Sequence, residues 1–297
     1  MSKTAWAWLG LVLGNLFWAG NALVARLVRD DIPPISLGFW RWTLALVILL
    51  PFVAPALWRA RQAIVYGGWR LVVLSVVSIC AYNTLLYSAA HTTEAINITL
   101  VTTCLPLATF IFAGILLKEW PRPLAWGGMA IAAAGLLVLI SRGEWQRFLS
   151  LNFNKGDVLM LLAVADWALY SVLLRRWARW IQISALPLLG LSILIGVPIM
   201  APLYAYEFSQ VGGFALTQAN LAAIAYTAVF ASLFSYFAWT YGVQIVGAAK
   251  ASLSSYLMPV FTAVLGWIWL GEYLAGFHVV GAALIFSGLI VATRLKG

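Results

Sequence analysis

Charge is scarce in this sequence: only 9% of its 297 residues are Asp, Glu, Lys or Arg, about a third of what a soluble domain carries. No sizeable water-facing surface can be covered with so few charges, so a large soluble domain is excluded. The nine acids, Asp30, Asp31, Glu94, Glu119, Glu144, Asp157, Asp166, Glu207 and Glu272, include no D-x-x-x-D pair, and the two histidines, His91 and His278, are far apart in the chain. Metal-cluster spacing, a nucleophile elbow and a P-loop are all missing, so the chain reads as no enzyme, with no cofactor or metal expected and no direct ATP drive of its own. Cysteine is nearly absent too: Cys80 and Cys104 lie inside apolar runs as small hydrophobes, without C-x-x-C spacing, and report nothing about redox compartment.

Apolar residues fill the space left by charge, at 64% of the chain with a mean hydropathy of +0.96. A spanning helix takes roughly 20 residues to cross about 30 Å of hydrocarbon, which allows nine or ten helices and little else. The first apolar run, from Ala5 to Ala25, is too long for a signal-peptide core and lacks a clear cleavage site, so it reads as a retained span. Proline, glycine, charge clusters and interfacial aromatics place spans near 5–27, 35–54, 70–90, 94–117, 123–141, 157–175, 184–203, 219–242, 248–270 and 276–293.

With ten spans both termini share one side. That side collects Lys3, Arg59, Arg61, Arg70, Lys118, Arg122, Arg175, Arg176, Arg179, Lys250, Arg294 and Lys296, against Arg26, Arg29, Arg142, Arg147 and Lys155 on the other. The positive-inside rule therefore puts both termini in the cytoplasm. The basic excess is explained by membrane orientation, and nucleic acid is not expected as a partner.

Sliding the chain on itself by 153 residues lays Ala95–Val138 over Ala248–Val291 without a gap and with twelve identities, among them Pro106/Pro259, Glu119/Glu272, Gly128/Gly281 and Gly135/Gly288. An offset of 149 places Trp18 on Trp167 and Arg26 on Arg175. Each half, 1–142 and 156–297, holds five spans, with 143–155 as linker. Five is odd, so the halves enter the membrane from opposite sides. The expected fold is all-α: a polytopic membrane protein of ten transmembrane helices in two inverted five-helix repeats.

Leu-Phe-Trp-Ala-Gly-Asn in the first span, Phe39-Trp40-Arg41 early in the second, and the A-x₂-T/S…P…E-x₈-G-x₆-G pattern of spans four and five, repeated in the second half, resemble the EamA-type drug/metabolite transporter superfamily. Within it, size, ten-span layout and aromatic richness are similar to the YddG-type amino-acid exporters. The resemblance implies an exporter with a central cavity walled by both halves and alternately open to each side. It implies export of small amphipathic metabolites from the bacterial cytoplasm across the inner membrane, amino acids foremost, aromatic and other neutral ones first. The alternative is a multidrug exporter of cationic aromatic compounds; nucleotide-sugar exchange would want more basic residues than Arg41 and Lys250. The partners are a small-molecule substrate and the lipid bilayer, with a homodimer left open.

Unpaired polar groups are costly in hydrocarbon, so their positions mark the candidate site. Thr99, Thr102, Thr103 and Pro106 share one face of span four, and Ser252, Ser255, Tyr256 and Pro259 match them in span nine. These stripes are expected to line the cavity; the alternative is that the hydroxyls bond back to their own helices or glue neighbours together. Asn15, Trp18 and Asn21, Tyr82 and Asn83, Trp167 and Tyr170, and Tyr236 and Trp239 extend the surface with rings that stack or cradle an ammonium and amides that bond polar groups. Spans five and ten, with Gly127, Gly128, Gly135, Gly281 and Gly288, read as packing helices. Arg41 is expected to snorkel to water or clamp a substrate carboxylate. Asp166, about 15 Å from either surface at 1.5 Å per residue, is the candidate for proton coupling or for pairing with a substrate ammonium, its alternative being a structural Asp bonded to a partner such as Tyr170.

Overall fold

The computed structural model describes residues 2–90, 98, 101–102, 104–142, 144, 146, 154–270 and 275–293, and every regular element among them is helical. Eight helices are long and apolar enough to cross a bilayer, and two shorter apolar ones complete the set. We number them in chain order: α1 (Lys3–Leu27), α2 (Pro34–Arg59), α3 (Trp69–Ser75, Val76–Ala81 and Tyr82–Ala90), α4 (Leu105–Leu117) and α5 (Pro123–Ser141) in the first half. The second half continues with α6 (Lys155–Arg176), α7 (Ala185–Val211), α8 (Gln218–Tyr226, Thr227–Phe234 and Ser235–Val246), α9 (Ala248–Leu253, Ser254–Tyr256 and Leu257–Leu270) and α10 (Gly276–Thr293).

Local chemistry sets several of these boundaries. Proline stands in the first turn of α2, α4 and α5, where its missing N–H costs nothing. Asn154 and Asp157 close a capping box on α6, and Ser2 caps α1. Glu207 of α7 caps another helix: its carboxylate accepts from the Ile35 N–H at 2.9 Å, the Ser36 N–H at 2.6 Å and the Ser36 hydroxyl at 2.7 Å. Those are donors that α2 leaves open in its first turn, and the helix dipole favours an anion there.

The middles of α3 and α8 are wound as π-helix, over Val76–Ala81 and Thr227–Phe234. These stretches occupy corresponding positions in the two halves. Each wide turn releases backbone carbonyls from the regular ladder, a departure that is frequent at functional sites.

Packing follows an approximate two-fold rule. α1 lies against α8 and α9 as α6 lies against α3 and α4; α2 meets α7, and each of these touches the π-stretch of the opposite half. The tightest seam joins α5 to α10. A Cβ added at Gly135 would stand 2.6 Å from the Gly281 carbonyl oxygen, one at Gly281 2.8 Å from that of Gly135, and one at Gly288 2.5 Å from that of Gly128. Contacts run from Gly128 with Gly288 and Ala292 to Gly135 with Gly281 and Ile285, so the helices are antiparallel. Adding 153 to one partner and subtracting it from the other converts each contact into another of the same set. The axis relating the halves therefore lies perpendicular to the helices, which is the geometry of an inverted repeat. Small residues let the backbones touch, and in lipid such close packing replaces the missing hydrophobic drive.

Candidate functional site

Seven rings from five helices pack where α1, α2, α3, α6 and α8 converge. Trp18 and Trp167, repeat equivalents, meet edge to face with centroids 5.7 Å apart. Trp167 also touches Tyr82 at 4.9 Å, Tyr170 at 5.1 Å, Tyr236 at 5.0 Å and Trp239 at 5.7 Å. Trp18 reaches Trp239 at 5.6 Å, and Trp42 stands edge-on to Tyr236 at 4.7 Å. Trp167, Tyr170, Tyr236 and Trp239 are buried, Trp18 and Tyr82 half-buried. The rings fill the space between the halves, packed edge-on or tilted against one another.

Hydrogen bonds hold Trp18, Tyr170, Tyr236 and Trp239 in place, several through groups the sequence did not single out. The Trp239 indole donates to the Ser171 hydroxyl at 3.0 Å, the Trp18 indole to the Ala231 carbonyl of the α8 π-stretch at 3.0 Å, and Tyr170 shares a proton with Thr240 at 3.3 Å. Asn83 and Tyr236 stand 153 apart, and both donate to the Ser78 carbonyl in the α3 π-stretch, at 3.5 and 3.3 Å. Asn83 also donates to the Ile79 carbonyl at 2.8 Å and accepts from Arg41 Nη2 at 3.2 Å. Arg41 does not snorkel: it is 3% exposed, with its guanidinium 4.9 Å from the Trp42 ring. Its position in the second span was the available signal, and the adjoining Trp42 was missed altogether.

Asn15 donates to the Leu11 carbonyl at 2.7 Å and to the Ser254 hydroxyl at 2.9 Å, tying α1 to α9. Asn21 is half-buried and lies outside the ring contacts. Thr99 and Thr103 lie outside the described residues. Thr102 and Ser252 bond back to the Ile98 and Ala249 carbonyls, at 2.7 and 2.8 Å, as the self-bonding alternative expected. Tyr256 is buried in the cluster around the α5–α10 seam with Phe110, Met129 and Ile285, away from the rings. A 3₁₀ turn at Ser254–Tyr256 interrupts α9 and breaks the regular face on which the stripe was drawn.

Several buried polar atoms find no partner: Asn15 Oδ1, the Trp42 indole nitrogen, Ser232 Oγ, Ser255 Oγ and Asp166 Oδ2. Asp166 makes no bond to Tyr170, whose hydroxyl is engaged by Thr240. Leaving such a group dry typically costs about 1–3 kcal/mol. No group of three or more His, Cys, Asp or Glu that could hold a metal occurs among the described residues.

The fold is that of a polytopic membrane protein built from two repeats, and comparison with known proteins gives the family. The model of the EamA-like transporter family matches residues 5–141 and again 154–294, and the chain belongs to that family. It is 26% identical to the uncharacterized transporter YyaM of Bacillus subtilis, over 95% of this chain and 92% of that one. Protein PecM of Dickeya dadantii is 29% identical over 77% of this chain and 74% of its own. A probable terminal-alkyne amino-acid exporter of Streptantibioticus cattleyicolor is 25% identical over 99% and 94% respectively. A solved crystal structure with 21% identity covers both chains completely with a TM-score of 0.78, which bears on the fold alone.

Proposed function

We propose that this transporter exports small amphipathic metabolites, amino acids first and aromatic and other neutral ones among them, by alternating access between its two repeats. The observation that carries the reading is the ring block itself. Rings from both halves meet between the repeats, and Asp166 and the unpartnered Trp42 indole nitrogen belong to the same helices. A substrate with an apolar or aromatic side chain would replace ring-on-ring contacts, while its charged groups would meet Asn15, Arg41, Asn83 and Asp166. The name of the Streptantibioticus relative agrees with an amino-acid substrate. The basic residues gathered at one end of the bundle favour a bacterial cell membrane with both termini in the cytoplasm and the 143–155 linker outside. Asp166 is assigned the coupling role, since it is the one acid set in the middle of a span.

The test measures amino-acid efflux and resistance to cationic aromatic drugs side by side in cells overproducing the protein. Faster efflux of phenylalanine, tyrosine or tryptophan without increased drug resistance is expected. Resistance with no change in amino-acid efflux would replace this reading with that of a multidrug exporter.

A further inference from the structure

Away from the rings, the basic end of the bundle holds a second concentration of aromatic and cationic side chains. The connection from α2 to α3 carries the short helix Arg61–Gly67, that from α6 to α7 the short helix Ala178–Ile181, and the two pack together. Beside them the Arg70 guanidinium lies between two indoles, 5.0 Å from Trp69 and 4.8 Å from Trp180, and Arg179 stacks on the Trp180 ring at 3.7 Å. Trp69 meets Trp177 edge-on at 5.1 Å. Two guanidinium groups thus share one aromatic platform. Arg70 Nε is buried without a partner.

Among the described residues no carboxylate pairs with these guanidinium groups. Among the described residues the one ion pair is Arg29–Asp30, at the opposite end of α1. Of the described acids, Asp30, Asp31, Glu144, Asp157 and Glu207 lie toward that opposite end, Asp166 lies mid-span, and Glu119 is exposed near this end. Arg59, Arg61 and Arg176 donate to the Pro55, Trp58 and Leu116 carbonyls, so they add positive charge without neutralising one another. Around the platform the surface is apolar and open: Trp58 is 73%, Trp69 60% and Val65 81% exposed.

We propose that this cluster is a binding site for the phosphate of an anionic phospholipid. A guanidinium stacked on an indole loses water from its faces and keeps its N–H edge, the edge that grips a phosphate oxygen pair. Exposed Trp and Val beside it suit the zone where headgroup passes into acyl chain, whereas a free phosphate would gain nothing from them. Basic pockets between helices at a membrane rim bind anionic headgroups on these terms. The proposal does not depend on what the protein transports.

Native mass spectrometry of the full-length protein in detergent, offered phosphatidylglycerol and phosphatidylcholine in equal amounts, reads the preference directly. The wild type is expected to retain phosphatidylglycerol preferentially, with about a fivefold contribution from each arginine. Arg70→Gln with Arg179→Gln should abolish the preference, and Arg179→Gln alone, at an exposed position that should leave folding intact, should reduce it about fivefold. Arg29→Gln with Arg142→Gln, at the opposite end, should leave it unchanged. An unaltered preference in Arg179→Gln, or equal losses at the two ends, would overturn the site. Displacement of the lipid by excess inorganic phosphate would also overturn it, in favour of a soluble anion.

Discussion

The α5–α10 seam and the ring block both join the two halves, yet they are built in opposite ways. Along the seam the contacting residues are small, the backbones touch, and each contact has its symmetry mate. At the block the residues are large, and the symmetry is kept in position but lost in chemistry. Trp18 faces Trp167 as in a true two-fold, but Asn83 and Tyr236 share one carbonyl as an unlike pair. Asp166 has Phe17 as its counterpart at the 149 offset, and Phe17 packs on Phe230 and Phe234. Symmetry is thus retained where only packing is required, and it is broken where polar groups collect. The seam leaves no room for a side chain at Gly128, Gly135, Gly281 or Gly288.

Breaking the seam should cost most. Gly135→Leu forces a side chain against the Gly281 carbonyl oxygen, and overpacking of this kind costs about 1–3 kcal/mol even where the neighbour can yield, which backbone cannot. Folded protein recovered in detergent should fall sharply, and Gly281→Leu should behave alike. Gly127→Ala, with nothing within 4 Å of its added methyl, should be neutral. Unequal losses at Gly135 and Gly281 would show that the two-fold contact set does not govern stability.

Asp166→Asn keeps shape and hydrogen-bonding capacity but cannot ionise. In proteoliposomes it should abolish any dependence of transport on a pH gradient while sparing downhill flux. Unchanged gradient-driven transport would remove Asp166 from the coupling role and leave it as packing.

Truncation within the block should discriminate among substrates. Trp239→Ala, which also removes the indole donor to the Ser171 hydroxyl, and Tyr82→Ala should each reduce transport of aromatic amino acids by about tenfold and of small ones much less, since ring contacts are worth about 0.5–1.5 kcal/mol each. Equal losses for both substrate sizes would indicate packing damage. The smallest effect belongs to the α7–α2 clamp: Glu207→Gln removes the charge that caps α2 and should cost about 1 kcal/mol, read as a lowered Tm.

The helices, the repeat and the seam were legible because lipid imposes a simple code: apolar runs long enough to cross, basic residues at one end, glycine where backbones touch. The 149 offset made Trp18 and Trp167 repeat equivalents, and their contact came from the structure. The finer site was not legible, because faces were drawn with one regular helical period. The 3₁₀ turn at Ser254–Tyr256 changes that period, which puts Ser254 opposite Asn15 and turns Tyr256 toward the seam. The π-stretches do the same in α3 and α8, offering the Ser78 and Ala231 carbonyls to Tyr236 and Trp18. Arg41 was expected to snorkel to water or to clamp a substrate carboxylate, and it is instead buried beside Asn83 and the Trp42 face inside the bundle.

The π-stretches also say where the chain can change length. The first residues of the two stretches, Val76 and Thr227, are 151 apart, while the last, Ala81 and Phe234, are 153 apart, the offset that then holds to the end of the repeat. The π-stretch of α8 is thus two residues longer than that of α3, eight against six. A wide turn stores an added residue without rotating the remainder of its helix, whereas in a regular helix each insertion or deletion swings the rest by about 100°. One residue gained or lost in α5 would carry Gly135 off Gly281, but the same change in the middle of α3 or α8 can be taken up by widening or tightening a turn. Insertions and deletions in this fold thus have a permitted address within the membrane, beside the rings.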